Sequence, residues 1–284
     1  MSEDTVPLNK IEEYNGGLIQ HGTHNDRIYL MRAPSVSSPN LPHELIKLAE
    51  KNHYSKIFAK TPASMANDYF NAGFLEEARI PGFISGSKTA LFMGYYLNAQ
   101  RREEPQGPEM DEILKMALEK KTAGQAFHFP DNLAPRPCNE TDVCAMAKLY
   151  RAIFASYPFP IYDSDYLLET MQSHIDYFGI KVDGEWIALS SAEMDVGASN
   201  VEMTDFAVLQ KWRGNRLAER LLTSMETEMK KKNIKTAYTI ARAMSPGMNV
   251  AFSRTGYQFG GRLINNTNIS GKIESMNVWH KALG

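Results

Sequence analysis

Between Phe206 and Leu222 an apolar strand segment passes through a tight turn at Arg213-Gly214 directly into an amphipathic helix, and this junction restricts the chain to folds that set a strand end against a helix start. Leu217, Leu221, Leu222, Met225 and Met229 recur at helical spacing, and Lys230, Lys231 and Lys232 close the segment where cations suit the helix dipole. The first N–H groups of a helix lack a partner within it and carry partial positive charge. Gly214, Asn215, Arg216, Leu217 and Ala218 therefore offer an anion a set of main-chain donors, led in by Phe206, Ala207 and Val208. Gly214 lets the backbone turn close to the ligand, and Arg213 adds charge. A pyrophosphate is the ligand that such a cradle suits.

A second landmark follows. Thr236 to Ala241 reads as a strand, Asn249 to Thr255 as a short helix stopped by Gly256, and Tyr257, Phe259, Leu263 and Ile264 as the strand after it. Together these segments resemble the GNAT acetyltransferases, whose pyrophosphate motif Arg/Gln-x-x-Gly-x-Gly/Ala follows a strand ending in Ala-Val. The resemblance implies the acyl-CoA N-acyltransferase fold, an α/β class with a mixed twisted sheet, and acetyl-CoA as co-substrate. Arg216 stands where the family carries its middle glycine, which is tolerable if its φ stays negative and its side chain turns to solvent. Phe252 stands where many members carry a tyrosine acid, so no general acid is assigned. Asn249 fits the family's contact to the pantetheine arm or phosphates, or an N-cap.

With 284 residues, 43% apolar, two compact units are expected. A break at Gln100 to Pro108 places a smaller GNAT-like N-terminal α/β domain at 1–104, a linker and connecting helix at 105–130, and the catalytic domain at 131–284. Its GNAT-like character rests on an echo: Asn67 to Phe74 runs parallel to Val250 to Tyr257, after strand signals at Tyr54 to Lys60 and Thr236 to Ala241 respectively. The first unit lacks a phosphate turn. A net charge of −2 speaks against a nucleic-acid or membrane-surface binder, and the acidic start lacks an apolar signal region, so a cytoplasmic protein is expected. Cys138 and Cys144 are spaced for neither a metal pair nor a disulfide framework and read as buried thiols; no metal is expected. Association with further copies of the chain stays open.

Acetyl transfer to an amine needs a neutral nucleophile, yet an alkyl ammonium has a pKa of about 10.4, so a base must take a proton. The resemblance implies Glu202, six residues before Val208 where several GNAT members carry a base glutamate, as the favoured base, with Asp205 as alternative or as partner for a cationic substrate. Side chains alternate along a strand, so only one of the two meets the amine unless a bulge intervenes. A main-chain N–H near Val208 would serve the developing oxyanion. Tyr238 and Arg242 are substrate candidates, Arg242 as a fork for a carboxylate. Asn265, Asn266 and Asn268 read as a turn whose amides also reach substrate.

Longer strings narrow the resemblance. Glu202 to Ala207, Ala237 to Ala243, Leu263 to Gly271, Glu274 to Trp279 and Phe83 to Gly86 resemble the β-lysine N-acetyltransferases. This implies acetylation of the terminal amine of β-lysine to a neutral compatible solute, N-epsilon-acetyl-β-lysine. From the residues alone, another small amine, a protein amine or a non-catalytic acetyl-CoA sensor remain alternatives.

Overall fold

The computed structural model describes residues 9–36, 38–121, 133–155 and 157–284. The acidic start and residues 122–130 of the expected linker lie outside them. The first half runs β1 (Lys10–Tyr14), β2 (Gly17–Gly22), β3 (Arg27–Arg32), α1 (Leu41–Lys51), β4 (Lys56–Pro62), α2 (Ala66–Asn71), β5 (Leu75–Ile84) and β6 (Lys88–Tyr96). After α3 (Gly107–Glu119), the second half runs β7 (Arg136–Pro137), α4 (Val143–Ile153), α5 (Ser164–Met171), β8 (Ile175–Val182), β9 (Glu185–Asp195) and β10 (Asn200–Val208). It continues through α6 (Leu217–Lys231), β11 (Thr236–Arg242), α7 (Pro246–Arg254), β12 (Gln258–Ile269) and β13 (Lys272–Ala282).

Among the described residues all strands join one mixed sheet, ordered β1-β2-β3-β4-β6-β5-β12-β13-β11-β10-β9-β8-β7. Only β3 with β4 and β10 with β11 pair in parallel. The order β1-β2-β3-β4-β6-β5 recurs as β8-β9-β10-β11-β13-β12, with α1 and α6 after the third strand and α2 and α7 after the fourth. The two copies meet head to head where β5 pairs antiparallel with β12 at Ala78 and Gly261. A Cβ on Gly261 would stand 2.2 Å from the Glu77 carbonyl oxygen, and its φ of 140° belongs to the glycine range, so no other residue fits this joint.

Alternation along the strands directs side chains to two faces. On β3, Ile28 and Leu30 pack toward Leu41 and Leu45 of α1, while Arg27, Tyr29 and Met31 face the other way. On β10, Val201 and Met203 pack with Leu221, Leu222 and Met225 of α6, while Glu202 and Thr204 face the cavity described below. Each of these buried aliphatic side chains contributes about 1.5–3 kcal/mol. A third cluster seals the halves together: Tyr29, Phe58, Phe83 and Phe92 against Tyr238, Leu263, Met276 and Val278.

Three expectations change. The first half opens with strands at 10–32 that the sequence reading did not place. Asn265, Asn266 and Asn268 lie within β12, not in a turn; Asn265 takes a φ of 44° at a register shift between Leu263 and Thr267. Cys144 is exposed, because it falls on the outer side of α4, whereas Cys138 is partly buried.

Candidate active site

β10 and β11 pair only from Asn200 with Thr236 to Glu202 with Tyr238, then separate. Immediately beyond, Asp205 adopts a φ of 53° and the register against β9 shifts between Thr204 and Ala207. That bulge re-aims one side chain. Glu202, Thr204 and Asp205 consequently all line one cavity of about 100 Å³, and the sequence-based choice of a single acid gives way to both. A second cavity of about 100 Å³ lies in the opening between the diverging strands, lined by Phe206, Thr239 to Arg242, Ser245, Met248 and Phe252. Tyr157, Thr204, Asp205, Ile240, Ile269 and Met276 border both, so the two cavities adjoin at the bulge.

The first cavity is built from both halves. β3 and β4 supply Arg27, Tyr29, Phe58 and Lys60; the second half supplies Glu193, Glu202, Asp205 and Asn266. Lys60 Nζ donates to the Tyr238 hydroxyl at 3.2 Å, and both groups act on the buried Glu202 carboxyl. Burial, with Glu193 and Asp205 adding negative charge, pushes the Glu202 carboxyl up to about 7 despite the opposing pull of Lys60. Asp205 also rises through burial, and accepts from Tyr157 Oη at 2.5 Å and from Ser191 Oγ at 2.5 Å. These bonds fix Asp205 in place.

The phosphate-type turn is exposed at Arg213, Gly214 and Asn215. Gly214 has a φ of 85° with open space where a side chain would begin. Arg216 corrects one expectation: its φ is +57°, it caps α6, and its guanidinium pairs with Glu219 rather than extending to solvent. A buried Glu219, which also meets Arg254 at 3.5 Å, explains how a non-glycine residue is held in the left-handed region. Leu217 is buried and Ala218 follows it in the first turn. Of Phe206, Ala207 and Val208, which lead from the gap between β10 and β11 toward the exposed turn, Phe206 lines the second cavity.

Several sequence candidates serve other ends. Asn249 is fully buried: Nδ2 donates to the carbonyls of Arg242 at 3.0 Å and Ser245 at 2.8 Å, and Oδ1 accepts from Asn277 and Trp279, each at 2.9 Å. Its amide is spent on holding α7 against β13, in place of the expected cofactor contact. Arg242 is exposed and its fork is taken by Glu274 at 2.6 and 2.7 Å, outside the first cavity. Asn265 donates to the carbonyls of Arg101 and Glu103, and Asn268 to that of His24, so both tie the halves together. Asn266 alone of the three lines the cavity. Phe252 packs edge-on against Phe206 at 5.6 Å and brings no hydroxyl.

Sequence reasoning missed Arg27, Lys60, Tyr157 and Glu193. A legible signal existed for Arg27: it opens the apolar run Ile28-Tyr29-Leu30-Met31, whose β-branched and aromatic content marks a buried strand with a cation at its start. Tyr157 sits among Phe154, Pro158, Phe159 and Pro160, an aromatic and proline cluster that sequence alone gives no address.

A family model described as the acetyltransferase (GNAT) family matches residues 145–249. The beta-lysine N(6)-acetyltransferase of Methanococcus maripaludis is 36% identical over 276 residues, covering 96% of this chain and 99% of that protein. The beta-lysine N(6)-acetyltransferase of Methanosarcina mazei is 31% identical over 256 residues, 83% of this chain and 94% of that one. N-acetyltransferase YodP of Bacillus subtilis is 30% identical over 266 residues, 94% and 96%.

Proposed function

The chain belongs to the GNAT acetyltransferases, in the group that includes the beta-lysine N(6)-acetyltransferases, and from that premise we propose that this acetyl-CoA-dependent N-acetyltransferase acts on the terminal amine of β-lysine with Glu202 as base. The observation that carries the base is a carboxyl lifted to about 7, beside the point where the two cavities meet. A base of that strength is ionised at neutral pH yet accepts a proton readily. Glu202 takes the ammonium proton. The freed amine then forms the C–N bond to the acetyl carbon as the C–S bond breaks, the thiolate departs, and the nitrogen gives up its second proton, which balances the thiolate charge as CoA leaves. Main-chain N–H groups of β10 past Glu202, where β11 no longer pairs, face the developing oxyanion. Asp205, anchored by Tyr157 and Ser191, attracts the cationic substrate. The turn Arg213 to Ala218 holds the pyrophosphate.

Charge gives the reaction a purpose. β-Lysine carries two ammonium groups and one carboxylate, and acetylation leaves one of each, so the product can accumulate without a counterion. We assign the work to two GNAT-like units, 1–104 and 131–284, joined by 105–130, acting in the cytoplasm on small molecules. The test is release of CoA from acetyl-CoA with β-lysine, with mass spectrometry locating the acetyl group on the terminal nitrogen. Replacing Glu202→Gln should lower kcat about 10²–10⁴-fold. In the unaltered enzyme kcat/KM should fall about tenfold per pH unit below about 7, as Glu202 becomes protonated. A Glu202→Gln enzyme with unchanged kcat across pH would dismiss this residue as base.

A further inference from the structure

The charged side chains that line the first cavity divide by origin. Glu193, Glu202 and Asp205 come from the second half, and Arg27 and Lys60 from the first. A substrate with its reacting ammonium at one end and a carboxylate at the other matches this division, and the carboxylate candidate expected from sequence, Arg242, is already paired with Glu274.

Arg27 is 4% exposed, and among the described residues no carboxylate stands within ion-pair distance of it. Nη1 donates to the Asn266 carbonyl and, at 3.0 Å, to Thr267 Oγ1; Nε is buried without a partner. The guanidinium carbon stands 5.2 Å from the ring centre of Tyr29 and 5.8 Å from that of Phe58, which fixes the plane of the group. Burying an uncompensated charge is costly unless a partner arrives. Lys60, also lining the cavity, donates to Tyr238 and not to an acid. Lys60 thus stays at the Glu202 end, and a buried guanidinium with a spare donor is the arrangement that binds a carboxylate.

We infer that Arg27 holds the carboxylate of the amine substrate, so that the first half of the chain selects amino acids over plain amines. The inference deepens the β-lysine reading, on which it rests for the identity of the acid. It implies that the catalytic half alone is an incomplete site.

The experiment compares β-lysine with its carboxamide, which is of similar size and lacks only the negative charge, on the full chain. The unaltered enzyme should favour the acid in kcat/KM by roughly 30-fold or more. Arg27→Met should raise KM for the acid by a similar factor, with a smaller change in kcat, and bring the ratio toward unity; Arg27→Lys should keep part of the preference. Calorimetric affinity for acetyl-CoA reports whether the variant remains folded. A wild-type enzyme indifferent to the carboxylate, or an Arg27→Met enzyme that keeps the full ratio, overturns the inference and leaves β-lysine as substrate untouched. An enzyme that ignores β-lysine but favours lysine over lysinamide sinks the β-lysine reading and supports Arg27.

Discussion

Glu202 is placed where its usefulness works against the fold. Its carboxyl rises from 4.5 to about 7 on folding, chiefly through burial, so the folded chain holds that proton more tightly than the unfolded chain. The associated stability is fully present below about pH 4.5 and is lost as pH rises through about 7. Glu202→Gln should therefore melt higher than the unaltered protein at pH 8, with the difference closing by pH 4.5 in a calorimetric series. An equal difference at both ends would place Glu202 in a polar, unstrained setting. At this scale sequence reached the atoms that motif position dictates, Glu202, Asp205, Gly214 and Phe252. It failed where a side chain's partner comes from far along the chain: Asn249 is claimed by Asn277 and Trp279, and Arg242 by Glu274. Neither pairing has a local signature.

Among the elements, β10 and α6 decide what the site can bind. Alternation set Glu202 and Asp205 on opposite faces without saying which meets the cavity, and the bulge that brings both to it depends on how β9 and β11 part around Asp205. A single left-handed aspartate in a strand leaves little trace in composition. The turn before α6 was legible because glycine and helical period mark it. There, Gly214→Ala meets no neighbour, yet φ of 85° costs a Cβ-bearing residue about 1–2 kcal/mol. The turn should relax and swing its N–H groups off the pyrophosphate. Calorimetry should show the Kd for acetyl-CoA rising about tenfold while the melting temperature shifts by only a few degrees. An unchanged Kd would remove this turn from the cofactor site.

The whole molecule works as one site only if its halves stay in register, and the joint between them is polar as well as apolar. Echoed helix-glycine-aromatic segments hinted at the repeat, yet the head-to-head joining of β5 to β12 has no counterpart in local pattern. Beside that joint Lys56, fully buried, donates to Glu77 Oε1 at 3.0 Å and to the Ile264 carbonyl at 2.6 Å, while Glu77 also accepts from Tyr96 and from the Ile264 N–H. Ile264 lies two residues before Asn266, whose carbonyl receives Arg27. Lys56 thus joins β4 of one half to the β12 segment that completes the cavity. Lys56→Met leaves Glu77 buried without its cation, which should cost about 3–5 kcal/mol in urea unfolding. Adding Glu77→Leu removes the orphaned charge, and the double variant should recover much of that loss although the site geometry is not restored. KM for the amine should then remain raised while stability returns. Recovery of both together would mean that the joint positions nothing, and a single variant as stable as the parent would mean that the pair is solvated and the halves are held by the aromatic cluster alone.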